Sequence, residues 1–186
     1  MRRAITLLAL IALLVSARCP MDAAQPSAAP LRIGDTLPPV SGQTLTGQTL
    51  RLPAASLRQA SILIFSFSRV AGKDARQWNE HLVNGSSGGI PVYMVIMLES
   101  APKLFRGMAI AGIKSTMPPL QQSRTIVLYI DEQLWKSRLA VTNDSRAFVL
   151  LLDENGRLRW MNSGAFTDAE YSRLQNEASR STRPHP

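Results

Sequence analysis

Two apolar runs constrain this chain more than any other feature. Ser61 to Ser68 reads SILIFSFS and Pro91 to Leu98 reads PVYMVIML, and neither shows regular polar–apolar alternation. A strand with one face in water alternates, so runs of this kind predict strands buried on both faces, as in a parallel sheet covered by helices. Between them, Asp74 to Val83 (DARQWNEHLV) predicts a helix. Ala75, Trp78 and Leu82 share one face of it, and Arg76 and Glu80 lie on the other. Asp74 suits its first turn electrostatically. Strand, helix and strand in this order imply parallel pairing through a right-handed crossover.

The rest of the chain extends this unit. Leu31 to Pro53 mixes apolar residues with Gly, Pro and Thr, which predicts a β-hairpin turning near Gly47-Gln48. Gly85 to Gly89 ends the helix in a turn. Pro102 to Ile113 (PKLFRGMAIAGI) predicts a second helix with Pro102 near its start, and Pro118-Pro119 breaks the pattern. Thr125 to Ile130 predicts a strand, and Glu132 to Ala140 a short helix or turn. Phe148 to Leu152 and Leu158 to Met161 predict strands joined by Asp153-Glu154-Asn155-Gly156, whose Asn-Gly pair is a strong hairpin signal. Thr167 to Glu177 predicts the closing helix, with Thr167 as its cap and Glu170 completing a capping box. There is no internal repeat. The expected fold is α/β: a central mixed sheet flanked by helices, with an N-terminal β-hairpin and a late antiparallel hairpin.

The N-terminus reads as a separate element. Met1-Arg2-Arg3 precedes an uninterrupted apolar run from Ala4 to Ala17, about the length of a secretory signal core and short for a membrane span. Residues 1–24 are therefore expected to be an export signal, cleaved after Ala17 or Ala24, or else an uncleaved anchor. Acylation at Cys19 would need a small residue where Arg18 stands. Residues 25–30 read as a linker, 31–178 as one domain and 179–186 as a disordered tail. The implied location is the bacterial periplasm, in association with the inner membrane.

Charge and sulfur narrow the function classes. The chain carries 21 Lys and Arg against 13 Asp and Glu; without Arg2, Arg3, Arg18 and Asp22 of the signal, 18 against 12 remain, a net +6. These charges are scattered, with no basic run interleaved with aromatics, so nucleic-acid binding is not expected. Attraction to anionic lipid or to acidic partner surfaces fits better. The single cysteine is Cys19, so a mature domain has neither a disulfide nor a reactive thiol. Only two histidines are present, His81 and His185, far apart in sequence. No metal-ligand cluster and no cofactor are expected.

The order of elements resembles thioredoxin-like proteins of the peroxiredoxin type. Leu31 to Pro38 (LRIGDTLP) is similar to their entry strand, Thr46 to Leu52 (TGQTLRL) to the hairpin after it, and Phe148 to Trp160 (FVLLLDENGRLRW) to their final hairpin. Phe65-Ser66-Phe67-Ser68-Arg69 followed by Trp78, together with Arg157 to Trp160 and Ser163-Gly164, is similar to the thioredoxin-like assembly factors of the mitochondrial ATP synthase. That resemblance implies a non-enzymatic domain without a redox pair, which helps a membrane-embedded subunit of the proton channel assemble.

The resemblance also points to a corner. Redox-active relatives keep their cysteine just after the first central strand, where a helix N-terminus lowers the thiol pKa. Here that place reads Ser68-Arg69-Val70-Ala71-Gly72-Lys73, and the proline that faces it in relatives is replaced by Ser145-Arg146-Ala147. No catalytic residue is expected, because no base stands near Ser68 in the sequence pattern. Arg69, Lys73 and Arg146 either converge on the helix N-terminus as an anion or partner site or are three solvated cations. Asp153 and Glu154 read as turn residues, and Trp78, Trp135 and Trp160 as core anchors. In the Pro102–Ile113 helix, Leu104, Phe105, Met108 and Ile110 lie around more than one face with small residues between them. Such a helix is either deeply buried or touches a partner or a membrane.

The leading expectation is an exported binding or assembly domain without redox activity, acting on a membrane complex such as ATP synthase. The alternatives are a thiol-disulfide oxidoreductase or peroxidase relative, and an anion- or ligand-binding module.

Overall fold

The computed structural model describes residues 29–53, 59–85 and 89–181. The expected export signal and most of the linker lie outside the described residues, as do 86–88 of the glycine turn and 182–186 of the tail.

One mixed sheet of seven strands organises the described chain, in the order β2-β1-β5-β4-β3-β6-β7. The two apolar runs form its centre as β3 (Ser61–Ser66) and β4 (Val92–Met97), paired in parallel with Ile62 opposite Val92 and Phe65 opposite Val95. All six residues of β3 are buried, which explains why its sequence does not alternate. β5 (Thr125–Leu128) adds a third parallel strand beside β4. The N-terminal hairpin, β1 (Val40–Thr44) and β2 (Thr49–Leu52), joins antiparallel to β5. On the other side, β6 (Phe148–Leu152) runs antiparallel to β3 and carries β7 (Leu158–Ser163) at the edge. The Leu31–Pro38 segment is not the entry strand its wording suggests. It makes one bridge, Thr36 to Arg157, and bonds Gly34 and Leu37 to the carbonyls of Leu158 and Gly156.

The sheet separates two cores. On one face, Ile62, Ile64, Met94 and Val149 pack against α1 (Ala71–Asn84) and α5 (Asp168–Ser181). α1 buries Ala71, Ala75, Trp78 and Leu82, the stripe its spacing predicts with one more turn at the front. Trp78 is fully buried, its indole N–H donates to the Gly164 carbonyl at 3.0 Å, and its ring meets Trp160 and Phe166 edge-on. Trp160 itself is only half-buried, because it sits on the edge strand. On the other face, Phe65, Val95, Leu150 and Leu158 pack under Trp135 and Leu139 from α4 (Glu132–Arg138) and the turn after it. Burying each such Leu or Phe contributes about 1.5–3 kcal/mol.

Turn chemistry follows the residues. Gly156 closes the late hairpin at φ +74°, a conformation that favours glycine. Asp153 Oδ1 accepts the amides of Asn155 and Arg157, so Asp153 is a structural turn residue. The Glu170 amide donates to Thr167 Oγ1 at 3.2 Å, the expected cap of α5. α5 continues through Ser181, so Ser179 to Ser181, read as the start of a disordered tail, are helical. Ala178 is buried on the sheet side, and the helix runs past it. Pro118-Pro119 does end α2 (Lys103–Ser115), but Pro119 then opens a one-turn helix, α3 (Pro119–Ser123), that the sequence pattern did not suggest. Proline at the first helical position sacrifices no hydrogen bond.

Candidate functional site

The corner where β3 leads into α1 is held by Ser68. Its hydroxyl donates to the Asp144 carbonyl at 2.8 Å and accepts from the Ala71 amide at 3.1 Å. The Ser68 carbonyl accepts the Gly72 amide, and the Val70 carbonyl accepts that of Lys73. Three amides at the start of α1 are therefore already satisfied by the chain itself. Among the described residues no histidine hydrogen-bonds the hydroxyl, whose proton is committed to a carbonyl oxygen. A serine held in this way positions a loop; it has no base to make it a nucleophile.

The three cations named from the sequence stand at this corner, and all three are exposed. Arg146 faces Asp74 in the first turn of α1, Nη1 to Oδ2 at 3.8 Å. Asp74 Oδ2 is buried without a hydrogen-bond partner among the described residues, so this long pairing is its nearest compensation. Arg69 lies in the turn before α1 and Lys73 in its first turn. The corner is thus a cationic surface rather than an amide nest, because the amides an anion would use are occupied.

Next to it lies an ionic network that sequence reasoning missed. Lys136 Nζ on α4 bridges Glu132 Oε1 at 2.9 Å and Asp144 Oδ2 at 3.3 Å. Glu132 is buried, and its other oxygen accepts the Ser100 amide at 3.1 Å. Glu99 in turn accepts the Glu132 amide at 2.6 Å, capping α4 from the end of β4. Burial pushes the Glu132 carboxyl up, but the Lys136 and Ser100 hydrogen bonds outweigh it and hold the carboxyl below its ordinary value. The hydrogen bond to Glu132 is the main cause that raises the Lys136 ammonium. The Glu132–Lys136 pair, at i and i+4 on one helix, is the part of it that a sequence pattern can signal. Asp144 closes both this network and the Ser68 bond, linking α4 to the corner. Among the described residues, no group of three His, Cys, Asp or Glu side chains is arranged to hold a metal ion.

α2 resolves the alternative that its sequence left open. None of its residues is buried. Leu104, Phe105 and Met108 are 86 %, 53 % and 67 % exposed, while Ile110 is half-buried. Deep burial, one of the two readings, is overturned. The inward side, Arg106, Ala109, Ile110 and Ile113, rests only partly on the domain. Arg106 anchors the helix start by donating to the carbonyls of Glu99 and Ala101, with its guanidinium 5.1 Å from the centre of the Tyr129 ring. No helix among the described residues is long and apolar enough to cross a membrane.

Comparison with known proteins agrees with this architecture. A thiol:disulfide interchange protein from Bacteroides sp. superposes with TM-score 0.56 at 16 % identity, covering 83 % of this chain and 95 % of its own. A peroxiredoxin-like protein from Aquifex aeolicus gives 0.55 at 14 % identity, over 82 % and 90 %. BsSco, of the Sco family of cytochrome c oxidase assembly proteins, gives 0.53 at 12 % identity, over 80 % and 97 %. At these identities the likeness establishes the fold and nothing more. No curated protein matches the sequence. The family described as ATP10 protein matches residues 32–180, nearly the whole folded domain. The chain has a thioredoxin-like fold, and it belongs to the ATP10 protein family.

Proposed function

We propose that this protein is an exported assembly factor that works by binding and not by thiol exchange, helping a membrane-embedded subunit of ATP synthase reach its complex. Membership of the ATP10 protein family supports the assembly role. The observation that carries the non-redox reading is Ser68. At the strand-to-helix corner, its hydroxyl joins the Asp144 carbonyl to the Ala71 amide, and the only cysteine in the sequence is Cys19. A thioredoxin-like domain without sulfur at that corner keeps the scaffold and loses the electron chemistry. The exposed cations Arg69 and Lys73 suit acidic side chains of a partner.

The test is capture of the partner from native membranes. Full-length tagged protein should cross-link to an ATP synthase subunit and lose that product when Arg69 and Lys73 are both changed to Glu. Recovery of no synthase subunit after cross-linking would overturn the assembly reading. Insulin reduction or peroxide turnover by a Cys19→Ser protein would overturn the non-redox reading.

A further inference from the structure

Eight large apolar side chains are prominently exposed among the described residues, and five of them fall between Leu104 and Ile130: Leu104, Phe105, Met108, Leu120 and Ile130. At 3.6 residues per turn, Leu104, Met108 and Ala111 form the outward ridge of α2. Phe105 and Gly112 flank one side of it, and Lys103, Gly107 and Lys114 the other. The ridge is opposite the half-buried side of Arg106, Ala109, Ile110 and Ile113.

Charge says what covers it. From Ser100 to Ile130 there is no Asp or Glu, against four cations: Lys103, Arg106, Lys114 and Arg124. Arg106 is turned into the domain by its bonds to Glu99 and Ala101. Lys103 and Lys114 remain exposed, one at each end of the helix. An uncharged apolar groove would leave both cations unused. A bilayer surface uses both: apolar side chains enter the acyl boundary while lysine stems extend their ammonium groups to lipid phosphates.

We propose that α2 seats on an anionic membrane surface, with Leu104, Phe105 and Met108 at the acyl boundary and Lys103 and Lys114 at the phosphates. This contact would lay the domain against the bilayer whatever subunit it serves, so it stands apart from the assembly reading.

A probe confined to the ridge tests it in the full chain, because any contribution of the N-terminal apolar run is then not what is read. Met108→Cys in a Cys19→Ser background carries an environment-sensitive fluorophore; Glu154→Cys, in the turn of the late hairpin, is the control. On vesicles of equimolar phosphatidylcholine and phosphatidylglycerol, the label at 108 should shift to the blue and be quenched by lipid-borne quenchers, while the label at 154 does neither. Adding Lys103→Glu and Lys114→Glu should abolish most of that quenching. These positions are exposed, so circular dichroism should be unchanged. A label at 108 that stays in water on these vesicles overturns the proposal, as does an equal response on phosphatidylcholine alone. A response that appears only with membrane proteins present would assign the ridge to a protein partner and overturn it too.

Discussion

Ser68 Oγ donates to the Asp144 carbonyl at 2.8 Å, joining the end of the first central strand to a loop 76 residues later. That bond makes the sulfur-free corner a fixed structural joint. Asp144 uses its carbonyl for Ser68 and its carboxylate for Lys136, so a single loop residue couples the corner to α4.

Ser68→Ala removes both bonds and leaves the partly buried Ala71 amide without its acceptor. The expected loss is about 1 kcal/mol, read as a lower urea midpoint at unchanged slope. A midpoint equal to that of the unaltered protein would mean that the joint contributes nothing to stability.

Gly42 of β1 lies close against β5. A Cβ there would stand 2.6 Å from Ile126 Cγ2 and 3.0 Å from the Val127 carbonyl oxygen. Gly42→Ala should therefore cost about 1–3 kcal/mol, and hydrogen exchange should show the β1–β5 pairing loosened first. Gly72 meets nothing within 4 Å, so Gly72→Ala is expected to be neutral or stabilising.

The Glu132–Lys136 pair sets a pH dependence. Glu132 is held below its ordinary pKa, so its contribution is present above the unfolded carboxylate value and is lost as pH falls through the lower folded value. Lys136 is raised, so its share is complete below the ordinary lysine value and is lost as pH rises through the folded one. Urea midpoints of Glu132→Gln should fall less steeply with acid than those of the unaltered protein. Lys136→Met should raise the Glu132 carboxyl and move the acid loss of stability to higher pH. Acid limbs that superpose would show that the network is not what titrates.

Leu104→Gln and Met108→Gln should each change stability by less than about 0.5 kcal/mol, because both side chains stand in water. Trp78→Ala, emptying a fully buried site and orphaning the Gly164 carbonyl, should cost about 3–5 kcal/mol. If the Leu104 variant unfolded as readily as the Trp78 variant, the ridge would be packed and unavailable to any surface.

Much of this architecture was legible because its signals are local. The unalternating runs became β3 and β4, and Ala75, Trp78 and Leu82 became the buried stripe of α1. Asn155-Gly156 turned the late hairpin, and Thr167 capped α5. Leu31 to Pro38 misled, because Leu37 is buried in the core and Leu31 packs against it while the backbone makes only the Thr36 bridge and loop hydrogen bonds where a strand was expected. The exposure of Trp160 followed from edge position, which no spacing records.

The sequence alone determined that the strand-to-helix corner carries no sulfur, since the single cysteine lies at position 19. It also determined which residues of each helix share a face, because periodicity is a property of the chain. Only the tertiary structure decided what lies opposite each face. α2 is apolar nearly all round, a pattern equally suited to a buried helix, and the fold leaves its outer ridge bare. Arg146 was a cation at the corner, and the fold paired it with Asp74. Lys136 and Asp144 are eight residues apart, and the turn after α4 brings them together at 3.3 Å. Burial and pairing are relations between distant segments, so they come into being only when the sheet aligns those segments.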